Sequence, residues 1–245
     1  MQQQAKNGML TPAFTGRRNF LKLSGLTLAG TGLLLAGCSD DDDAGSNPSS
    51  NQLPGVRNGK FDLGGGDFGV LTYAYALEQL ESDFYTKVVE NAAFSSFSTD
   101  AQLILEDIYK HEVIHREFFR NALTAALPNP ETQLLPDLTF MYNGVNFGSE
   151  SSVLATAKAL EDTGVAAYNG AGYLISDAAY LVIAGQIVSV EARHASAIRD
   201  LINPGSADFA ATTDANGLDP AKKPSEIAPV AQGFIQEQFT ATFLP

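Results

Sequence analysis

Two short stretches carry most of the chemistry this sequence can offer. His111-Glu112-Val113-Ile114-His115 and Val190-Glu191-Ala192-Arg193-His194 hold all three histidines of the chain, and both contain Glu-x-x-His. Residues three apart share a helix face, so each stretch presents a carboxylate beside an imidazole. The first also fits H-E-x-x-H, in which two histidines one turn apart hold zinc and the glutamate acts as general base. The flanking residues do not extend that zinc-peptidase reading. Phe118 stands where the longer motif needs a glycine, and Asn121 where it needs a third histidine. In the second stretch Val190 takes the place of His111. What repeats is Glu-x-x-His, which leaves His111 behind the ligands or at the surface.

Helices must position these groups. Apolar residues recur every three or four places in GVLTYAYALEQLESDFYTKVVENAA, which predicts a first helix beginning near Phe68. Ser98-Thr99-Asp100 offers an N-cap for AQLILEDIYKHEVIHREFFRNALTAAL, which stops at Pro128. SSVLATAKALEDTGVAAYNGAGYLIS is the third helix. Asp177 caps the fourth, AAYLVIAGQIVSVEARHASAIRDLI, which ends at Asn203-Pro204-Gly205. A long connection, residues 128–149, separates the two pairs. The expected fold is all-α, a four-helix bundle of two hairpins joined by a crossover, spanning residues 67–203. Residues 204–245 form a C-terminal extension in which DPAKKPSEIAPVAQGFI suggests one short helix.

The two pairs repeat each other. Glu78 aligns with Glu161, each preceded by Ala-Leu and followed seven residues later by a tyrosine, Tyr85 or Tyr168. In the second members Ile108, Glu112, His115 and Arg120 match Ile187, Glu191, His194 and Arg199. At ~1.5 Å rise per residue, Glu78 and Glu112 both lie roughly 20 Å from the turn that joins their helices. Similar counts place Glu161 and Glu191 together, so all four glutamates reach one layer, with His115 and His194 on the same faces. Glu81 could replace Glu78, but its repeat partner is Gly164, which favours Glu78 by symmetry. Glu106 and Glu117 fall off the inward stripe. Carboxylates packed between apolar helices need a compensating cation. Two divalent metals, two Fe or two Mn with iron first, would balance four carboxylates and be bridged at ~3.5–4 Å, with two imidazoles completing the shells. The metal-free alternative pairs these groups with Arg116, Arg193 and each other. Tyr85 and Tyr168 are candidates to hydrogen-bond a liganding carboxylate or to donate electrons, and otherwise are core residues.

The amino-terminal region has a different character. Arg17-Arg18-Asn19-Phe20-Leu21-Lys22 precedes an apolar run from about Leu23 to Leu35, too short to span a membrane as a mature helix. Leu35-Ala36-Gly37-Cys38 follows. These residues resemble a bacterial twin-arginine export signal, residues 1–37, with a lipoprotein cleavage box ending at Cys38. The resemblance implies the twin-arginine export machinery as partner, cleavage before Cys38 and an acyl anchor on it. Cys38 is the single cysteine, so an intramolecular disulfide and a thiolate metal site are excluded. Removing residues 1–37 takes away four basic residues and moves the net charge from −13 to about −17, which argues against nucleic acid as partner. Residues 38–66, rich in Asp, Ser, Asn, Pro and Gly, read as a flexible acidic tether.

Leu77-Glu78 with Phe84-Tyr85, His111-Glu112-x-x-His115, Ala159-Leu160-Glu161-Asp162 and Val190-Glu191-Ala192-Arg193-His194 together resemble bacterial exported ferritin-like domain proteins, relatives of the plant desiccation-associated ferritin-like proteins. The resemblance covers roughly Asp67 to Leu201. It implies a carboxylate-bridged metal pair held by Glu78, Glu112, His115, Glu161, Glu191 and His194, with Glu112 and Glu191 as bridges. The expected function is metal-dependent redox chemistry, ferroxidase or peroxide-consuming, protecting the cell envelope. The alternative is a non-catalytic binding or stress module with the same bundle. Helices of this length fit a monomer, a homodimer or a shell. Membrane fractionation tests the location: wild-type chain should sediment with membranes and Cys38→Ala should be released or misprocessed. Fully soluble wild-type protein that retains residues before Cys38 would contradict it.

Overall fold

The structure, a computed structural model, describes residues 52–210 and 213–245. The export signal, Cys38 and the tether before residue 52 lie outside the described residues. Four long helices form the core: α1 (Gly66–Val89), α2 (Thr99–Ala126), α3 (Glu150–Gly172) and α4 (Ala178–Ile202). Three of their starts are fixed by side chains that accept from orphan backbone N–H groups: Ser98 from Ala101, Ser149 from Ser152 and Asp177 from Ala179. The third helix ends at Gly172, four residues short of the expected Ser176. No described helix is long and apolar enough to cross a membrane.

Polar ties between helix ends set the directions of the two hairpins. The Glu150 carboxylate accepts from the Ser98 backbone N–H (2.6 Å) and hydroxyl (2.9 Å), bringing the starts of α2 and α3 together. Asp67 accepts from the N–H groups of Ser176 (2.6 Å) and Asp177 (3.0 Å), so the starts of α1 and α4 meet. Each helix therefore runs antiparallel to its hairpin partner, α1 runs antiparallel to α3, and α2 to α4. The crossover between Leu127 and Ser149 must travel the length of the bundle. It contains a single helical turn, Pro130–Gln133, and is pinned to α1 where Gln79 bonds the Pro136 carbonyl (3.2 Å) and the Leu138 N–H (2.9 Å).

Buried apolar side chains fall into two clusters on either side of a polar layer. One gathers Val70 to Leu77, Phe119, Leu123, Ala167, Ile187 and residues of the C-terminal region. The other gathers Leu80 to Val88, Leu105, Ile108, Val153 to Leu160 and Ile198. The glutamates of the repeat lie between them.

Over residues 52–65 the structure departs from the expected flexible tether. Strands β1 (Gly55–Arg57) and β2 (Lys60–Asp62) pair antiparallel across an Asn58-Gly59 turn, both residues at positive φ as a tight hairpin demands. A third strand, β3 (Phe239–Thr240), joins parallel to β2. The extension also contains α5 (Pro224–Gln232), whose Ile227 and Ala231 enter the core. Asp62 explains why the hairpin stays: its buried carboxylate accepts from Gly64 N–H (2.9 Å), the Thr240 hydroxyl (2.7 Å) and Thr242 N–H (3.2 Å), and faces Arg57 (3.3 Å). Burial raises its pKa, but these donors outweigh burial and hold it below the ordinary value. The stabilisation is present above the usual carboxylate range and lost as pH falls through the folded value. Asp62→Ala, which strands those donors, should lower unfolding stability by about 2–3 kcal/mol in urea titration. An unchanged midpoint would contradict the role assigned to this carboxylate.

Candidate metal centre

Each of the four long helices contributes one fully buried glutamate: Glu78 from α1, Glu112 from α2, Glu161 from α3 and Glu191 from α4, all at 0% exposure. Their ligand atoms and those of the two Glu-x-x-His histidines form two groups, Glu78, Glu112, His115 and Glu191, and Glu112, Glu161, Glu191 and His194. Within each group the ligand atoms lie within 4.8 Å of one another. Glu112 and Glu191 belong to both.

The shared carboxylates divide their oxygens between the two positions. His115 Nδ1 lies 2.9 Å from Glu191 Oε1 and 3.7 Å from Glu112 Oε2. His194 Nδ1 lies 2.8 Å from Glu112 Oε1 and 3.4 Å from Glu191 Oε2. Each unshared glutamate serves one histidine, Glu78 Oε2 at 3.5 Å from His115 and Glu161 Oε2 at 3.5 Å from His194. Their other oxygens accept from tyrosines across the bundle. Tyr85 of α1 donates to Glu161 Oε1 (2.5 Å), and Tyr168 of α3 donates to Glu78 Oε1. Both tyrosines are thus hydrogen-bond donors to the cluster and part of its wall. The inward atoms of all six groups, Glu78 Oε2, Glu161 Oε2, both oxygens of Glu112 and Glu191, and Nδ1 of each histidine, are buried without a hydrogen-bond partner. Donors so convergent and so poorly satisfied by the protein fit a pair of cations.

His111 stands apart from both groups. Its Nδ1 lies 2.9 Å from His194 Nε2, and the two rings stack with centroids 5.1 Å apart. Burial, His194 and His115 hold its pKa below the usual value, which favours the neutral ring, the form whose Nδ1 can accept from His194 Nε2–H. That bond turns His194 Nδ1 toward the carboxylates. The H-E-x-x-H reading fails on this geometry, because the two histidines of HEVIH serve different ends. Arg116, proposed as a partner for the carboxylates in a metal-free bundle, instead bonds Glu117 and the Ser82 hydroxyl. Glu106 is exposed and Glu117 half-exposed, as their places on α2 suggest.

Glu81, set second to Glu78 as a ligand by the repeat, is buried as well. It joins neither group, yet it is 3% exposed with Oε2 unpartnered. Its carboxylate lies against Gly164 of α3, where a Cβ would stand 2.8 Å from Oε1. The signal was present in the sequence as a glutamate one turn from Glu78 that faces a glycine in the repeat.

The centre is an electrostatic conflict in the absence of a cation. Burial and Glu191 push Glu112 above the ordinary carboxylate range, and burial likewise raises Glu161. Burial also drives Glu81 well up, reinforced by Glu112, Glu161, Glu191 and Glu78. Glu191 moves the other way, because the close approach of His115 and His194 outweighs its burial. Burial opposes the charging of both histidines, but the surrounding carboxylates win and raise them.

A four-helix bundle whose mid-layer carries one Glu from each of two helices and Glu-x-x-His from each of the others is the architecture of ferritin-like proteins. The profile of the ferritin-like domain family matches residues 66–204, more than half of the chain. The chain belongs to that family. A search of curated proteins finds no match.

Cations entering this cluster must displace protons. Groups with raised pKa hold their protons over a wider pH range, so affinity should rise with pH. Calorimetric titration of Mn(II) in buffers of different ionisation enthalpy should show about one or more protons released per metal, and affinity falling by about tenfold or more per pH unit below pH 7. Affinity independent of pH, without proton release, would contradict this reading of the cluster.

Proposed function

We propose that the chain holds two iron ions, or two manganese ions, between Glu112 and Glu191, and that this pair performs redox chemistry in the cell envelope. The observation that carries the proposal is the division of oxygens: each of those glutamates offers one oxygen to the His115 side and the other to the His194 side. Four carboxylates balance two divalent charges, and oxygen with imidazole donors suits iron and manganese alike. Bound iron would supply oxidation of Fe(II) by oxygen or peroxide, and bound manganese the dismutation of peroxide.

The residues around the pair have separate tasks. Glu78 with His115, and Glu161 with His194, close the two ends. Tyr168 and Tyr85 fix the outer oxygens of Glu78 and Glu161, which leaves the inner oxygens aimed at the centre. His111 orients His194 from behind. The two apolar clusters above and below keep water away and strengthen each of these interactions. The twin-arginine pattern at Arg17-Arg18 and the box ending at Cys38 support a place outside the cytoplasm, with an acyl chain as anchor and stress protection as the role. That route exports folded protein, which suits a metal centre loaded before export.

Anaerobic loading with Fe(II) followed by exposure to air tests the proposal. Wild-type protein should bind two iron ions per chain and develop ferric absorbance in the near ultraviolet. His111→Ala, which removes the bond behind His194 but no ligand, should lose less of that absorbance than His115→Ala and His194→Ala, each of which should lose half or more of it. Two bound irons that never oxidise would favour the non-catalytic module. One zinc per chain, with casein cleavage abolished by His111→Ala, would overturn the assignment.

A further inference from the structure

The repeat relates the two hairpins by an approximate two-fold axis that exchanges α1 with α3 and α2 with α4. The crossed tyrosine bonds locate this axis. Tyr85, two turns beyond Glu78 on α1, reaches Glu161, and Tyr168, two turns beyond Glu161 on α3, reaches Glu78. Glu78 and Glu161 therefore mark opposite ends of the centre. The positions between glutamate and tyrosine, Glu81 on α1 and Gly164 on α3, sit at its middle. These two positions exchange under the repeat and also touch, since the Glu81 carboxylate lies where a Cβ at 164 would be. Residues that exchange and touch lie on the axis. Only one side chain fits there, which gives a physical reason for the glutamate on one helix and the glycine on the other.

Glu112 and Glu191 belong to both ligand groups. Glu81 belongs to neither, but from its place against Gly164 of α3 it lies near enough to feel the charge of Glu112, Glu161, Glu191 and Glu78. Glu81 is nearly fully buried and its Oε2 lacks a hydrogen-bond partner. An unpaired carboxylate held at that place, by a glycine that clears its path, is positioned as a donor rather than as a structural group. From this geometry we infer that Glu81 is a seventh ligand of the proposed metal pair. The inference rests on the dinuclear reading of the site. A fifth carboxylate also offsets one further positive charge, which is what one-electron oxidation adds to a divalent pair.

Cobalt(II) is a probe that reports coordination directly, because its visible absorbance strengthens when a six-coordinate site loses a ligand. Two variants remove the proposed ligand in different ways. Glu81→Gln keeps the size but not the charge. Gly164→Ala leaves Glu81 intact but places a methyl group against its carboxylate, at a helical position where alanine is the better helix former. Wild-type protein should bind two Co(II) per chain. Both variants should still bind two, at about tenfold or more weaker affinity and with stronger visible absorbance per cobalt. Wild-type affinity and spectrum in both variants, each taking up two Co(II), would overturn the role of Glu81 and leave the dinuclear site standing. Uptake of fewer than two Co(II) by wild-type protein would instead overturn the dinuclear reading, and this inference with it.

Discussion

Four glutamate side chains at 0% exposure, with a fifth beside them, occupy the middle of an otherwise apolar bundle. Removing that many carboxylates from water is too unfavourable for helix packing to offset if they stay charged and unpaired. The two histidines relieve part of the conflict, each within 3 Å of an oxygen of one of the two shared glutamates. They leave the inward atoms without conventional partners. The cation pair proposed above would resolve what remains, and most features of the fold hold these six groups still around one layer.

The bundle achieves this through direction. Because α1 runs against α3 and α2 against α4, a residue two turns beyond a glutamate on one helix meets the glutamate of the other, and the tyrosine bonds cross. The ties that impose these directions lie far from the centre, at Ser98 with Glu150 and at Asp67 with Ser176 and Asp177. The crossover and the C-terminal region cover the outside. Lys222 N–H reaches the Ala166 carbonyl of α3, and the strand at Phe239–Thr240 closes onto the hairpin that precedes α1. The extension thus completes the domain it follows.

Much of this was legible in the sequence where the governing rule is local. A three-residue spacing fixes Glu112 beside His115 whatever the tertiary fold, and the caps at Ser98 and Asp177 act within one turn of their helices. The repeat carried the reading across the bundle, since it named Glu78 and Glu161 as counterparts. It also preferred Glu78 to Glu81, as the two ligand groups bear out, but gave no sign that Glu81 is buried beside them. Symmetry points to what recurs, whereas a position on the axis has room for one side chain and cannot recur. The hairpin at 55–62 was hidden for another reason. Three-residue strands show no period, and β3, the second partner of β2, lies nearly 180 residues away. Likewise His111 was left open between surface and site, because only the packing of α2 against α4 decides that it meets His194.

The central claim is that the buried carboxylates hold two metals with Glu112 and Glu191 between them. Anomalous diffraction from crystals of the protein grown with Mn(II) measures this most directly. Two peaks about 3.5–4 Å apart, one beside His115 and one beside His194, are predicted. A map with no peak in this layer, or with a single peak coordinated by His111 and His115, would contradict it.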